Sequence, residues 1–187
     1  MTKARTLASF DSTGVLTSAS TLNPAKLDDT GTIPSALLAG VGGGTNTPLF
    51  HAYGTGGYQA IPNATPTTVN VSNERFDSDD AFNTSTKRFT PQTAGKYFVY
   101  GNIARDGNWQ AYARLYLAKN GNAAGSETLF NTTDDVGSNG GVHVSGIIEM
   151  NGSTDWIELM VRQDTGNSFN LLNSGNVNYF GAYKIAE

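Results

Sequence analysis

The chain has 187 residues, 38% hydrophobic and 15% charged, with a formal net charge of −4 from 12 Lys and Arg against 16 Asp and Glu. So few cations in an acidic chain leave no electrostatic footprint for nucleic acid and no polybasic patch for a membrane, and the lack of cysteine excludes disulfides, thiolate nucleophiles and Cys-ligated zinc. Its 22 glycines exceed the usual ~7% share, and Asn, Ser and Thr replace charge, a balance that disfavours helix interiors and suits short strands joined by turns.

Residues 1–48 form the first region. MTKARTLASF carries Lys3 and Arg5 without an apolar run behind them, so no secretory leader is expected there. No stretch approaches the ~20 apolar residues of a membrane helix, and no membrane insertion is expected. The region has no Trp or Tyr and one Phe, Phe10. Its apolar residues are small clusters around Leu7, Val15, Leu22, Leu27, Ile33 and 36–41, with short helices expected over 4–10 and 34–39. A monomeric core cannot be built from these. A disordered tail needs no regularly placed Leu and Ile, so the pattern favours an arm ordered against partner chains. GVGGGTNTP closes the region as a flexible joint; without a following Lys-Ser/Thr it is no phosphate loop.

From residue 49 the texture becomes strands. LFHAYG (49–54) is the first. TTVNVS (67–72) places Val69 and Val71 on one face, KRFT (87–90) is short, and KYFVYGNIA (96–104) is long and largely apolar. QAYARLYLAKNG (110–121) sets Tyr112, Arg114 and Tyr116 against Ala111, Ala113, Leu115 and Leu117, then turns at Asn120-Gly121. GGVHVSGIIEM (140–150) ends at Asn151-Gly152. DWIELMVRQ (155–163) sets Trp156, Glu158, Met160 and Arg162 against Ile157, Leu159 and Val161. NVNYFGAYKIA (176–186) closes the chain with Tyr179, Phe180 and Tyr183, too many rings for an edge facing water, so it belongs in mid-sheet or at a subunit contact. Eight or so short strands without crossover helices predict an all-β antiparallel sandwich or barrel.

Catalytic patterns are sparse. His51 and His143 sit within strand patterns, and no Gly-x-Ser-x-Gly elbow accompanies them. The carboxylates a glycosidase would need, Asp77, Asp79, Asp80, Asp134 and Asp135, lie in turn-rich stretches where Asp serves local hydrogen bonding. DSDD (77–80) offers clustered oxygens to a calcium ion but lacks the spacing and glycine of an EF-hand loop, and a solvated loop is the simpler reading. Trp109, with Asp106, Asn108 and Gln110 beside it, is a candidate to stack on a sugar ring while the polar neighbours bind hydroxyls; capping one end of the sandwich is its simpler role.

The stretch FNTSTKRFTPQTAGKYFVY (82–100) carries a resemblance. Asp77, four residues, Phe82, six residues, Phe89, five residues and Gly95-x-Tyr97 resembles the signature of the complement 1q globular domain, within the tumour necrosis factor superfamily of jelly rolls. KNG (119–121) is similar to that family's turn after its middle strand, and YFGAYKI (179–185) to its closing strand. The chain departs from the pattern with Val71 and Val99 in place of Phe, Gly101 in place of an aromatic and Ala182 in place of Gly, and no Gly-X-Y stalk precedes the domain. Independently of the family, Phe82, Phe89 and Tyr97 suit core anchors and Gly95 a tight strand entry. The resemblance implies a jelly-roll sandwich over 49–187 and compact trimers about a three-fold axis.

The MTKAR opening with LNPAKLDDTGTIP (22–34) is similar to the leading arms of bacteriophage fibre and virion proteins. Together the resemblances lead to the expectation of a non-enzymatic homotrimeric virion protein, made in the host cytoplasm, without a cofactor. Residues 1–48 would anchor to other virion proteins, and residues 49–187 would form a tail-fibre or spike head that binds a host-surface glycan or protein. Tyr179, Phe180, Tyr183 and Trp156 are the expected trimer contacts. Capsid decoration by the same fold is the alternative, and a secreted lectin-like module is disfavoured for want of a leader.

Overall fold

The computed structural model describes residues 46–104, 112–133, 140–174 and 177–187. Among these every regular element is a strand: β1 (Leu49–Tyr53), β2 (Tyr58–Ile61), β3 (Thr67–Thr68), β4 (Asn73–Asp77), β5 (Phe82–Asn83), β6 (Arg88–Phe89), β7 (Gly95–Ala104), β8 (Ala113–Lys119), β9 (Leu129–Thr133), β10 (Gly141–Met150), β11 (Ile157–Gln163), β12 (Phe169–Leu172) and β13 (Tyr179–Ala186). They belong to one compact unit, Asn46–Glu187. The helices expected over 4–10 and 34–39, residues 40–45 of the Gly-rich joint and the stretch around Trp109 lie outside the described residues.

Two antiparallel sheets dominate. The first has the order β10-β7-β13-β1-β4; the second runs β5-β6-β11-β8-β9, with β3 also on β11; β12 and β2 form a small third ladder. The closing strand β13 is therefore central in its sheet, between β7 and β1, as its ring content requires. Strand alternation builds the core. Phe50, Tyr97, Val99, Ile103 and Phe180 from the first sheet meet Phe89, Leu115, Leu117, Ile157, Leu159 and Val161 from the second, all essentially inaccessible to water.

The signature spacing acquires a physical meaning here. Phe50 stacks on Phe82 (4.7 Å between centroids) and on Phe89 (4.5 Å), and meets Phe180 edge-on at 5.0 Å. Tyr97 packs edge-on against Phe89 at 5.6 Å, and its hydroxyl donates to the Thr93 carbonyl at 2.7 Å. Burial pushes the Tyr97 hydroxyl up to about 12 from its ordinary 10.0. Gly95 opens β7 with φ +146°, and a Cβ there would lie 2.7 Å from Lys184 Cε, so both the backbone and the space demand glycine. Asp77 accepts a hydrogen bond from the Phe82 amide at 2.7 Å and closes the loop between β4 and β5.

The departures from the family pattern are compensated locally. At Gly101, where an aromatic is expected, the Leu159 side chain from the opposite sheet occupies the space a Cβ would need. Val71 and Val99 are fully buried apolar residues, and Ala182 is 1% exposed. The expected strand 67–72 is shorter as a ladder, because the chain leaves β11 after Val69, whose amide still donates to the Leu159 carbonyl. Asn120-Gly121 turns with positive φ at both residues, as its sequence predicts. At Asn151-Gly152 only the glycine does so; the Asn151 side-chain oxygen instead accepts from the amides of Ser153, Thr154 and Asp155.

Candidate functional site

The face of the first sheet turned away from the core is unusually aromatic, and strand register builds it rung by rung. Ile147, Phe98, Tyr183 and Leu49 form one rung across β10, β7, β13 and β1. The next carries Ser145, Tyr100, Gly181, His51 and Phe76, and the third His143, Asn102, Tyr179 and Tyr53. Phe98 lies 5.5 Å from Tyr183, Tyr100 6.2 Å from Tyr179, and His51 stacks on Tyr179 at 5.6 Å. Gly181 makes this possible: Tyr100 lies over it where a side chain would stand. Phe76, Ile147, Tyr183 and Ile185 stay 49%, 57%, 36% and 42% exposed, so this face is open among the described residues.

Electrostatics keep the centre of this face uncharged near neutral pH. A 3.0 Å hydrogen bond joins His51 Nδ1 to the Tyr100 hydroxyl. Burial, then the nearby Arg75 charge, lowers the His51 pKa below its ordinary 6.5, so the imidazole is neutral. Burial, then Tyr179 and Tyr183, raises the Tyr100 pKa, so its hydroxyl keeps its proton. The result is an apolar surface with phenolic rims, chemistry suited to covering by another protein surface.

Of the four residues expected at a subunit contact, the structure brings two together here, Tyr179 and Tyr183. Phe180 corrects that expectation: it alternates inward on β13, is fully buried, and packs on Phe50 and Phe82 within its own chain. Trp156 lies apart from this face: half-buried just before β11, it stands beneath the Arg88 guanidinium, whose carbon is 3.6 Å from the ring centroid. Phe98, Tyr100 and Tyr53 are not singled out from the sequence, and His51 is weighed there only as a catalytic residue. The signal was present in KYFVY, where alternation sends Tyr97 and Val99 inward and Phe98 and Tyr100 outward.

The remaining candidates separate. Asp106, Asn108, Trp109 and Gln110 lie outside the described residues, as do Asp134 and Asp135. Asp77 ends β4 and Asp79 and Asp80 follow in the loop after it; Asp77 is engaged by the amides of Phe82 and Asp79, and the Ser78 hydroxyl donates to Asp79. Among the described residues, no group of three or more His, Asp or Glu converges on a metal position.

No protein-family model matches this sequence, and no curated protein matches it. Solved structures do. The globular domain of zebrafish complement 1qA superposes with a TM-score of 0.52 at 16% identity, over 75% of this chain and 99% of that one. Murine APRIL gives 0.52 at 11% identity over 73% and 97%, and the Eiger TNF of S. frugiperda 0.52 at 16% over 74% and 92%. The fold is the complement 1q and TNF jelly roll. Within it Phe82, Phe89 and Tyr97 are buried core rings, Gly95 opens β7, and the aromatic face is the outer surface of one of the two main sheets.

Proposed function

We propose that this protein is a trimeric, non-enzymatic binding head carried on a virion fibre or spike, with residues 1–48 as the arm that anchors it to the particle. The observation that carries the trimer is the aromatic outer face of β7, β13 and β1. Exposed apolar surface of this extent is an interaction site in soluble proteins. Identical copies about one axis cover such a face without leaving a further copy uncovered, because the ring closes. The jelly-roll fold and the arm's likeness to phage virion arms support the same reading. Attachment to a host surface would then gain from three sites on one particle appendage, since linked sites multiply weak affinities.

Light scattering on the intact protein tests the assembly: three times the 19.8 kDa chain mass is expected, and a mass of one folded chain overturns it. The virion role is tested by immunogold labelling of particles and by competition. Label on tail or baseplate, with purified protein blocking adsorption of particles to host cells, supports the attachment head. Label over the capsid shell assigns a decoration role instead, and unlabelled particles remove the virion reading.

A further inference from the structure

The outward face of the second sheet carries a different surface. On β8 and β11, Arg114 and Arg162 are direct cross-strand partners. Like charges placed opposite each other are destabilising unless something else compensates. Arg162 is only loosely compensated: its Nε donates to the Ala64 carbonyl at 3.3 Å, and its guanidinium is 3.8 Å from Asp164, itself half exposed. Among the described residues no carboxylate lies within 4.0 Å of Arg114. Its guanidinium is instead set among rings, 4.8 Å from the centroid of Phe130, 4.9 Å from Tyr112 and 5.9 Å from Tyr116. Its Nε is buried without a hydrogen-bond partner. A buried N–H of a charged group left unsatisfied costs several times what an ordinary hydrogen bond contributes, so this donor marks a missing acceptor.

Beside these groups runs an open groove of about 450 Å³, lined by both arginines, by Tyr116 and Phe130, and by Pro66 and Ala124. That volume falls within the ~300–1,000 Å³ of small-ligand sites, whose lining is mainly apolar with a few polar anchors. Phe130 is 55% exposed, leaving ring surface for a ligand to lie against. We propose that this groove binds an acidic saccharide, with a sugar carboxylate held between the Arg114 and Arg162 guanidiniums and the sugar ring packed on Phe130. The planar guanidinium matches a carboxylate in a two-point contact, and two such cations together select for the anion over a neutral hydroxyl. The exposed ring supplies what a bare anion site lacks, a flat apolar platform for the C–H face of a pyranose. The surface lies on the opposite sheet from the aromatic face, so both can be occupied at once. For its biological role, though not for its chemistry, the site rests on the attachment reading above.

Calorimetric titration of the full chain with a galacturonic acid trisaccharide tests it, beside the methyl-esterified trisaccharide and inorganic sulfate. The acid should bind, and the ester, which keeps the ring and loses the charge, should bind at least tenfold more weakly. Arg114→Gln should weaken the acid at least tenfold, and Arg114→Lys, which keeps the charge but not the fork, by an intermediate factor. Phe130→Ala should weaken the saccharide and leave any sulfate binding unchanged. Arg114→Gln relieves a like-charge pair, so it should fold; Arg162→Gln serves as the second variant. No binding of the acid, equal binding of the ester, or an acid affinity unaltered by both Gln variants overturns the site. Equal affinity for sulfate, or for an Asp/Glu-rich peptide, overturns the sugar assignment. A trimer mass with adsorption still blocked, but no saccharide binding, refutes this site and leaves the attachment head standing.

Discussion

Tyr183→Glu is the sharpest perturbation of the aromatic face. Tyr183 sits on the central strand, is 36% exposed, and touches Phe98 at 5.5 Å within its own chain. A tyrosine presents roughly 200 Å² to be buried, so about 70 Å² of it remains for a neighbour to cover. At ~25 cal/mol per Å² that is about 1.8 kcal/mol per protomer and about 5 kcal/mol over three copies, or roughly four decades in the trimer association constant. Three carboxylates buried at one contact would add to this, because each must be neutralised or left unpaired. Concentration-dependent light scattering or sedimentation reads the result directly. The wild-type chain should remain at three times 19.8 kDa at dilutions where the variant falls to a single chain. Far-ultraviolet circular dichroism should remain largely unchanged, since the strands are kept and the side chain is not part of the inner core. A variant that stays trimeric at the wild-type dilution limit would show that this face is not the contact.

Three further outcomes follow from the same packing. His51 titrates near 6.5 in the unfolded chain and lower in the folded one, so the unfolded state takes up its proton first; stability is complete above pH 6.5 and declines as pH falls below it. Urea titrations between pH 7 and 5 should show that decline, flattened in His51→Gln, and an identical slope in the variant would exclude His51 as the cause. Phe50→Ala removes the ring on which Phe82, Phe89 and Phe180 converge and should cost about 3–5 kcal/mol by urea unfolding; a loss under ~2 kcal/mol would contradict the stacked core. Tyr97→Phe removes the 2.7 Å bond to the Thr93 carbonyl and should cost about 1 kcal/mol. In the wild type one tyrosinate should form only near pH 12, and because the unfolded ring ionises near 10.0, stability should fall between those values; absorbance titration checks both.

Alternation along an extended chain is a local property, so the residues themselves reveal it: side chains two apart share a face wherever the strand goes. That is why Ala113, Leu115 and Leu117, and Ile157, Leu159 and Val161, were legible as inward rows; the turn at Asn120-Gly121 was legible from its residue types, and the anchors Phe82, Phe89 and Tyr97 from their ring size together with the resemblance their spacing carries. The strands β2, β4, β5, β9 and β12 were not legible. They are short or partly exposed, and NERFD and LFNTT carry no clean alternation, because edge and peripheral segments bury too little to need it. Pairing is a different matter, since a ladder joins segments far apart in the chain and no local pattern states its register. Alternation alone sets Phe180 and Tyr179 on opposite faces of β13; only the place of β13 between β7 and β1 decides that Phe180 is the one turned into the core. The same long-range register gathered His51, Phe98, Tyr100 and Tyr183 on one surface and set Arg114 opposite Arg162 on another. Class and inward faces were written residue by residue; both candidate surfaces came into being only when distant strands paired.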